Sequence, residues 1–149
     1  MVKKKVLMGC ANYWTTPLQV GSHHIARGFA KKGWDVGFIS DPISPLHLLR
    51  YSQAVKNRYT IYKKNGIKDQ GIWSYVPGAF LSPYNKGLLK SKWLHKNWYR
   101  CTFPSVVSKL KKHSFDNVDL LYIDSPYQAF LLDTVKCKKS IYRLADYNK

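Results

Sequence analysis

The chain has 149 residues, of which 25 are Lys or Arg and only 8 are Asp or Glu, so its formal net charge is +17 at pH 7. This length fits one domain with a core of its own, and no segment approaches the roughly 18 consecutive apolar residues of a membrane-spanning helix. The charge predicts an anionic partner, such as nucleic acid, an acidic membrane or a phosphorylated substrate, without separating these three classes.

The first forty residues predict a strand, a helix and a second strand. Lys5–Cys10 is a short, largely apolar run, and apolar residues recur at helical spacing over 19–32. Gly33 follows two lysines, which is typical of the residue just past a helix end. The stretch 35–40 is apolar enough for a strand covered on both faces. This order is the opening βαβ unit of a parallel sheet, and such sheets bind ligands at the carboxyl ends of their strands.

The rest of the chain continues this pattern. The predicted elements, in order, are a helix over 46–57, strands over 59–63 and 72–76, a helix over 104–112, a strand over 119–124, a helix over 126–135 and a strand over 140–144. We predict an α/β, Rossmann-like three-layer domain with a mostly parallel sheet, and we treat residues 1–149 as a single domain. A doubly wound sheet rarely stops directly after a strand, so we expect this domain to be the N-terminal half of a longer two-domain protein.

The loop after the first strand predicts a sugar-binding surface. A dinucleotide-binding loop needs GxGxxG, and Gly9 is the only glycine here, which argues against a nicotinamide enzyme. The loop is instead aromatic and hydroxylic, and one histidine of the following helix is expected to face the same edge. The alternative is a loop that only packs against the domain. The candidate ligand-binding residues are Tyr13, Trp14, Thr15, Thr16, Gln19 and His23.

The histidines and cysteines do not predict a metal site. His23 and His24 are neighbours in a helix, where adjacent side chains point about 100° apart and do not easily bind one ion. Cys10, Cys101 and Cys137 are widely spaced and form no CxxC pair, which indicates reduced thiols in a cytosolic compartment. Cys10 is interpreted as a small buried residue.

Three of the eight acidic residues lie at the carboxyl ends of predicted strands: Asp41, Asp124 and Asp146. A carboxylate there can act as a general base toward an attacking hydroxyl, and nearby lysines and arginines favour its ionised form. Structural roles stay open for two of them, because Asp41 can cap a turn and Asp124 precedes Ser125-Pro126, where a helix is predicted to begin. Asp146 has the least obvious structural role.

Residues 81–100 interleave basic and aromatic side chains. One interpretation is an ordinary surface helix whose tryptophans lie in the core. The other is a face that rests on anionic lipid, which favours Lys and Arg at the headgroups and aromatic rings below them. The residues expected to contact a membrane in the second case are Lys90, Lys92, Trp93, Lys96 and Trp98.

Three stretches, over 12–24, 33–45 and 142–146, together resemble the N-terminal domain of GT-B glycosyltransferases. They are similar to bacterial, polysaccharide-building, membrane-associated glucuronosyltransferases. The resemblance implies half of a GT-B fold, in which this domain holds the acceptor and a C-terminal domain, absent here, binds the nucleotide-sugar. It implies no cofactor in this domain and a catalytic role for Asp146 as the base on the acceptor hydroxyl, if the enzyme inverts.

We therefore expect an acceptor-binding domain, inactive alone, that takes part in sugar transfer to a glycan or lipid-linked acceptor. Under this hypothesis the sugar-binding residues above, together with Asp41 and Asp124, bind the acceptor. The resemblance favours a cytoplasmic, peripheral position at the inner face of the cell membrane, where each basic residue contributes about 1 kcal/mol. The alternative is a basic nucleic-acid-binding module, which the absence of any nucleic-acid-binding motif makes the weaker hypothesis.

Overall fold

The computed structural model describes residues 3–49, 52–83 and 87–143. Its strands are β1 (Lys5–Cys10), β2 (Asp35–Ser40), β3 (Ile67–Asp69), β4 (Ile72–Tyr75), β5 (Asn117–Ile123) and β6 (Lys136–Tyr142). Its helices are α1 (Gly21–Lys31), α2 (Pro45–Leu48), α3 (Gln53–Lys63), α4 (Lys92–Asn97), α5 (Val106–Lys112) and α6 (Leu131–Thr134). Three 3₁₀ helices cover Gly87–Lys90, Trp98–Cys101 and Pro126–Phe130.

The described strands form one sheet in the order β3-β4-β2-β1-β5-β6. All neighbouring pairs are parallel except β3 and β4. From β1 the chain first builds the sheet toward β2 and then returns to place β5 on the other side of β1. The strand order therefore reverses between β1 and β5. At such a point the loops that follow the two strands leave a crevice at the carboxyl edge of the sheet, where doubly wound sheets bind ligands.

Helices cover both faces of the sheet, which confirms the Rossmann-like three-layer prediction. On one face α1 packs on apolar residues of β1, β2 and β4, such as Met8, Phe38 and Ile72. On the other face α4, α5 and the segment 126–131 enclose a larger core around Leu121. Cys10 is fully buried, as predicted.

Helices α1, α3 and α5 end in the same hydrogen-bonded motif, in which two backbone N–H groups past the helix return to carbonyls of its last turn. In α1 the Gly33 N–H donates to the Ala30 carbonyl and the Trp34 N–H to the Phe29 carbonyl. The φ angle of Gly33 is +80°, and the ring of Trp34 packs on that of Phe29 at 5.0 Å. The predicted helix end at Gly33 is therefore confirmed.

The prediction of a strand over 59–63 is wrong, because these residues are the last five residues of α3. Tyr, Thr and Ile favour strands only weakly on their own, and here they continue a helix that begins at Ser52, whose hydroxyl accepts from the Val55 N–H. The chain then makes a tight hairpin at Gln70-Gly71, both with positive φ, between β3 and β4. The single helix predicted over 46–57 is likewise divided into α2 and α3.

The last two predicted elements differ in their bounds. The helix over 126–135 is a 3₁₀ turn over Pro126–Phe130 followed by the short α6. The final strand begins at Lys136, four residues earlier than predicted, because the hydrogen-bond ladder with β5 runs from Asn117↔Lys136 to Ile123↔Tyr142. Its exposed lysines obscure the strand in the sequence, since an edge strand does not need an apolar pattern.

Candidate functional site

The carboxyl ends of β2, β1 and β5 lie side by side and bring two of the predicted carboxylates together. Ser40 pairs with Cys10, and Ile123 pairs with Gly9, so the residues that follow β2 and β5 lie within one residue of each other along β1. Those residues are Asp41 and Asp124. They flank the crevice beside β1, and the prediction that they share this edge is confirmed by the register.

Asp124 is held at the end of β5 by two backbone contacts. Its N–H donates to the Gly9 carbonyl at 3.0 Å, and its carboxylate Oδ1 accepts from the Ala11 N–H at 3.0 Å. The carboxylate thereby ties the β1–α1 loop to β5. Because the side chain remains partly exposed, the carboxylate keeps acceptor capacity for a ligand hydroxyl.

Asp41 lies at the centre of a polar cluster with neutral donors. Its Oδ1 accepts from the Ser125 hydroxyl at 2.7 Å and from the Gln128 amide at 3.0 Å. Burial raises the pKa of Asp41 to about 6, and the nearby charge of Asp124 acts in the same direction, against the lowering effect of the two donors and of Arg58. Asp41 is therefore a carboxyl group that can change its protonation state near neutral pH.

Arg58 of α3 supports the backbone beneath this cluster. Its Nη2 donates to the carbonyls of Asp41 at 2.7 Å and of Pro42 at 2.8 Å, so the guanidinium fixes the loop and does not form a direct ion pair with the carboxylate. Burial lowers the pKa of Arg58. Arg58, Ser125 and Gln128 were not predicted as site residues, because only the sheet order and α3 bring them to Asp41.

The β1–α1 loop is held by its own side chains. The His23 ring lies within 3.0 Å of the Tyr13 carbonyl and accepts from the Val20 N–H at 3.3 Å, which assigns the proton to Nε2. Burial lowers the pKa of His23. The Gln19 amide donates to the Thr16 carbonyl at 2.6 Å. The His23 ring and the Gln19 amide N–H therefore bind the loop itself, while the Gln19 Oε1 accepts from Arg27 of α1 at 2.7 Å.

The expectation that Trp14 presents a flat face to a sugar is wrong for this structure. Its side chain is 3% exposed, its ring stacks on His23 at 5.5 Å, and its indole N–H donates to Asp69 at 2.9 Å. Tyr13 is also buried, in a small cluster with Ile43. The aromatic residues of the loop therefore form its interior, and the rings of Trp14 and His23 do not face the site.

Two of the predicted loop residues remain accessible. Thr15 is exposed and Thr16 is half-buried. Asp41 and Asp124, which belong to the same predicted set, are half-buried at the ends of β2 and β5. Asp146 lies outside the described residues.

An apolar cavity of about 130 Å³ lies beside the segment that follows Asp41 and Pro42. Ile43, Tyr62 and Ala79 line it, and the exposed rings of Phe80 and Phe103 border it. The Tyr62 hydroxyl donates to the Phe103 carbonyl at 2.8 Å, which closes one side. The cavity and these rings form an apolar surface beside the segment 43–45, which follows Asp41 and Pro42 in the chain.

The residues predicted to contact a membrane separate into two groups. Trp93 is 62% exposed, and Lys90, Lys92 and Lys96 are exposed around it. Trp98 is wrong as a membrane contact, because it is fully buried and its indole N–H donates to the Tyr127 carbonyl at 2.7 Å. The five-residue spacing turns Trp98 away from Trp93 and into the core.

Most of the chain matches a known protein family. Residues 8–147 match the family model described as glucuronosyltransferase GumK, N-terminal domain. None of the curated protein sequences compared with the chain matches it. Within the described residues, no helix combines the length and the apolar character that crossing a membrane requires.

Proposed function

Since the chain belongs to the GumK family of glucuronosyltransferase N-terminal domains, we propose that it is the acceptor-binding domain of a glycosyltransferase. The observation that carries the proposal is the family match over 8–147, combined with two partly buried carboxylates at the crevice between β1 and β5. Carboxylates at this position are suited to accept hydrogen bonds from sugar hydroxyls.

Under this proposal the nucleotide-sugar donor binds a separate C-terminal domain. The N-terminal domain formed by this chain carries no cofactor. The β1–α1 loop supports this division of roles. It has no GxGxxG, and so it lacks the glycines that let a loop backbone approach a diphosphate closely. Two domains facing one cleft bring the acceptor hydroxyl to the donor and exclude water.

The proposed reaction is an inverting transfer. The acceptor hydroxyl oxygen attacks the anomeric carbon of the donor, the bond from that carbon to the nucleoside diphosphate breaks, and the Asp146 carboxylate takes the hydroxyl proton. Asp124, Thr15 and Thr16 orient the acceptor, and Asp41 holds the adjacent segment around Ser125. The role of Asp146 is taken from the resemblance of 142–146 to the family.

The proposed acceptor is a glycan or a lipid-linked sugar at an anionic membrane surface. Support for a lipid comes from the apolar cavity lined by Ile43 and from the exposed rings of Phe80 and Phe103. Support for the surface comes from the exposed Trp93 among Lys90, Lys92 and Lys96. Basic side chains with an exposed indole are typical of interfacial binding.

The first experiment compares this chain alone with the chain joined to a donor-binding C-terminal domain. We expect no measurable transfer and little nucleotide-sugar affinity for the chain alone, and transfer once the second domain is supplied. Tight nucleotide-sugar binding by these 149 residues would contradict the proposal.

The second experiment tests Asp146 in the two-domain protein. We expect Asp146→Asn to lower kcat by about 10²–10⁴, the usual contribution of general base catalysis, while KM for the acceptor changes little. Asp133→Asn is the matched control, because Asp133 is an exposed carboxylate on α6. Equal activity of both variants would remove Asp146 from the mechanism.

The third experiment measures co-sedimentation with vesicles. We expect binding that needs anionic lipid and that falls when Lys90, Lys92 and Lys96 are changed together to Gln or when Trp93 becomes Ala. A matched charge control changes Lys31, Lys32 and Lys138, which are exposed elsewhere. Equal binding to neutral vesicles would contradict an electrostatic surface.

A further inference from the structure

A second groove lies at the opposite end of the sheet from the carboxylates. Its volume is about 510 Å³, within the range of small-ligand sites. It is bounded by the start of β2, the ends of α3 and α5, and the β3–β4 hairpin. The ionisable residues that line it are Asp35, Lys64, Lys68, Lys109, Lys112 and His113.

The groove concentrates positive charge without matching negative charge. Four lysines and one histidine face a single carboxylate, that of Asp35. Within residues 3–49, 52–83 and 87–143, the salt bridge found joins Lys138 and Asp119, so no lysine of the groove is within ion-pairing distance of an acid there. Like charges that share a groove repel one another, and a bound anion would remove that repulsion.

Helix capping does not account for these lysines. Cations often lie at helix carboxyl ends because the last carbonyls lack partners. In α3 those carbonyls already accept from the N–H groups of Asn65 and Gly66, and in α5 from those of Ser114 and Phe115. The backbone therefore satisfies two carbonyls at each helix end. Within the described residues no lysine of the groove donates to these carbonyls, so the lysine side chains remain available to a ligand.

His113 lies at the inner wall of the groove. Its ring stacks on Trp73 at 4.2 Å, and the Trp73 ring lies in turn against Phe115 at 5.6 Å. Burial lowers the pKa of His113, and the charges of Lys109 and Lys112 lower it further. Burial also lowers the pKa of Lys109, with Lys112 adding to the effect. An anion here would reverse the electrostatic part of these shifts.

We propose that this groove is a binding site for a polyvalent phosphate anion of about the size of a diphosphate. Lys109 and Lys112 hold it from α5, Lys64 and Lys68 hold it from the opposite wall, and His113 donates to it from the base. The site is separate from the proposed acceptor site, so each can fail without the other.

The experiment titrates the chain with pyrophosphate at constant ionic strength while NMR follows the His113 ring. We expect saturable binding that becomes about tenfold weaker in the double variant Lys109→Ala/Lys112→Ala, as removal of two near-surface charges predicts. The matched control is Lys31→Ala/Lys32→Ala, which removes the same charge from the end of α1 and should leave the affinity unchanged. Equal weakening in both variants, or no saturable binding, would overturn the proposal.

A second readout uses the reciprocity of binding and protonation. If pyrophosphate binds beside His113, it must raise the apparent pKa of that histidine, and its own affinity must increase as the pH falls through that pKa. The groups facing His113 that also enter this balance are Asp35, Lys64, Lys68, Lys109 and Lys112. A His113 pKa that pyrophosphate leaves unchanged would overturn the proposal even where some binding is seen.

The phosphate has two chemical sources, a free diphosphate or the phosphorylated headgroup of a lipid. Vesicles with a phosphoinositide are compared with vesicles of equal charge made of phosphatidylserine. Phosphoinositide-selective binding that pyrophosphate displaces, and that Lys109→Ala/Lys112→Ala weakens, assigns the headgroup. Pyrophosphate binding without such selectivity assigns the free anion.

Discussion

The two ends of the sheet carry opposite charges and hold them in a comparable way. At the carboxyl end, Asp41 is bound by neutral donors, and burial raises its pKa to about 6. At the amino end, Lys109 and His113 line a groove, and burial lowers the pKa of each. At both ends burial disfavours the charged form and a nearby like charge adds to it. A ligand of opposite charge, or a hydroxyl that donates to the charged form, therefore stabilises the charged form of such groups most.

The largest effect on the carboxyl end of the sheet is expected from a side chain at Gly9. A Cβ atom there would lie 2.7 Å from the Cβ of Gln128 and 2.8 Å from Leu131, so Gly9→Ala must displace the segment that donates to Asp41. We expect a loss of about 2–3 kcal/mol in the free energy of unfolding, measured by urea denaturation. The amino-end groove should keep its charge cluster.

Gly28→Ala is the control for that change. Gly28 lies inside α1 with nothing within 4 Å of an added Cβ atom, so the variant should be more stable by about 0.5–1 kcal/mol. A Gly9→Ala protein as stable as Gly28→Ala would show that the carboxyl end is loosely packed.

Removing the charge of Asp41 tests the carboxyl end alone. The pKa of about 6 in the folded protein lies above the ordinary 3.8, so the folded state binds the proton more tightly and stability falls as the pH rises from about 4 to 6. Asp41→Asn keeps the acceptor for Ser125 and removes that loss. We expect it to be more stable by about 1–2 kcal/mol at pH 8, and not near pH 4.

The measurement is the urea midpoint as a function of pH, with Asp133→Asn as the exposed control that should follow the unaltered protein. A constant difference between Asp41→Asn and the unaltered protein from pH 4 to 8 would mean that Asp41 does not titrate in this window.

At the amino end, Lys112→Gln relieves repulsion with Lys109, which lies three residues earlier on α5. We expect a gain of a few tenths of a kcal/mol, the usual size for helical pairs of like charge. The sharper measurement is the His113 pKa by NMR, which should rise because one of the charges that lower it is gone. Lys31→Gln on α1 should leave that pKa unchanged, and an equal rise in both variants would count against a local cluster.

The smallest effect is expected for Lys138, whose acidic partner is Asp119. Lys138 lies 2.6 Å from Asp119, but its side chain is 78% exposed, so solvent screens the pair. Lys138→Ala should leave the denaturation midpoint within error at 0.15 M salt. A clear loss of stability would mean that the pair of Lys138 and Asp119 stabilises the edge strand despite its exposure to solvent.

Local patterns were sufficient for the first βαβ unit. The apolar runs of β1 and β2, the helical spacing of α1 and the stop at Gly33 are all short-range properties, and each was correctly predicted. The same short-range reasoning failed at 59–63, where residues that favour strands extend a helix started by Ser52. Tertiary context decides such segments because the local preferences differ by less than packing contributes.

The candidate site divides along the same line. Asp41 and Asp124 were predictable because carboxyl ends of parallel strands meet at one edge. The burial of Trp14, His23 and Trp98 was not predictable from the sequence. An aromatic residue next to hydroxyl-bearing residues or lysines occurs both on surfaces and in cores, and the local sequence does not distinguish the two.

The class of fold, the edge of the sheet that carries the carboxylates and the excess of positive charge can all be predicted from the amino-acid sequence. These three properties follow from periodicity and composition, which are local features of the sequence and do not depend on contacts between distant residues. Only the folded structure shows that Ser125, Gln128 and Arg58 surround Asp41, and that Lys64 after α3, Lys68 of β3 and two lysines of α5 share one groove. The reason is that strand order and helix packing join residues far apart in the chain, and burial then changes what their charges can do.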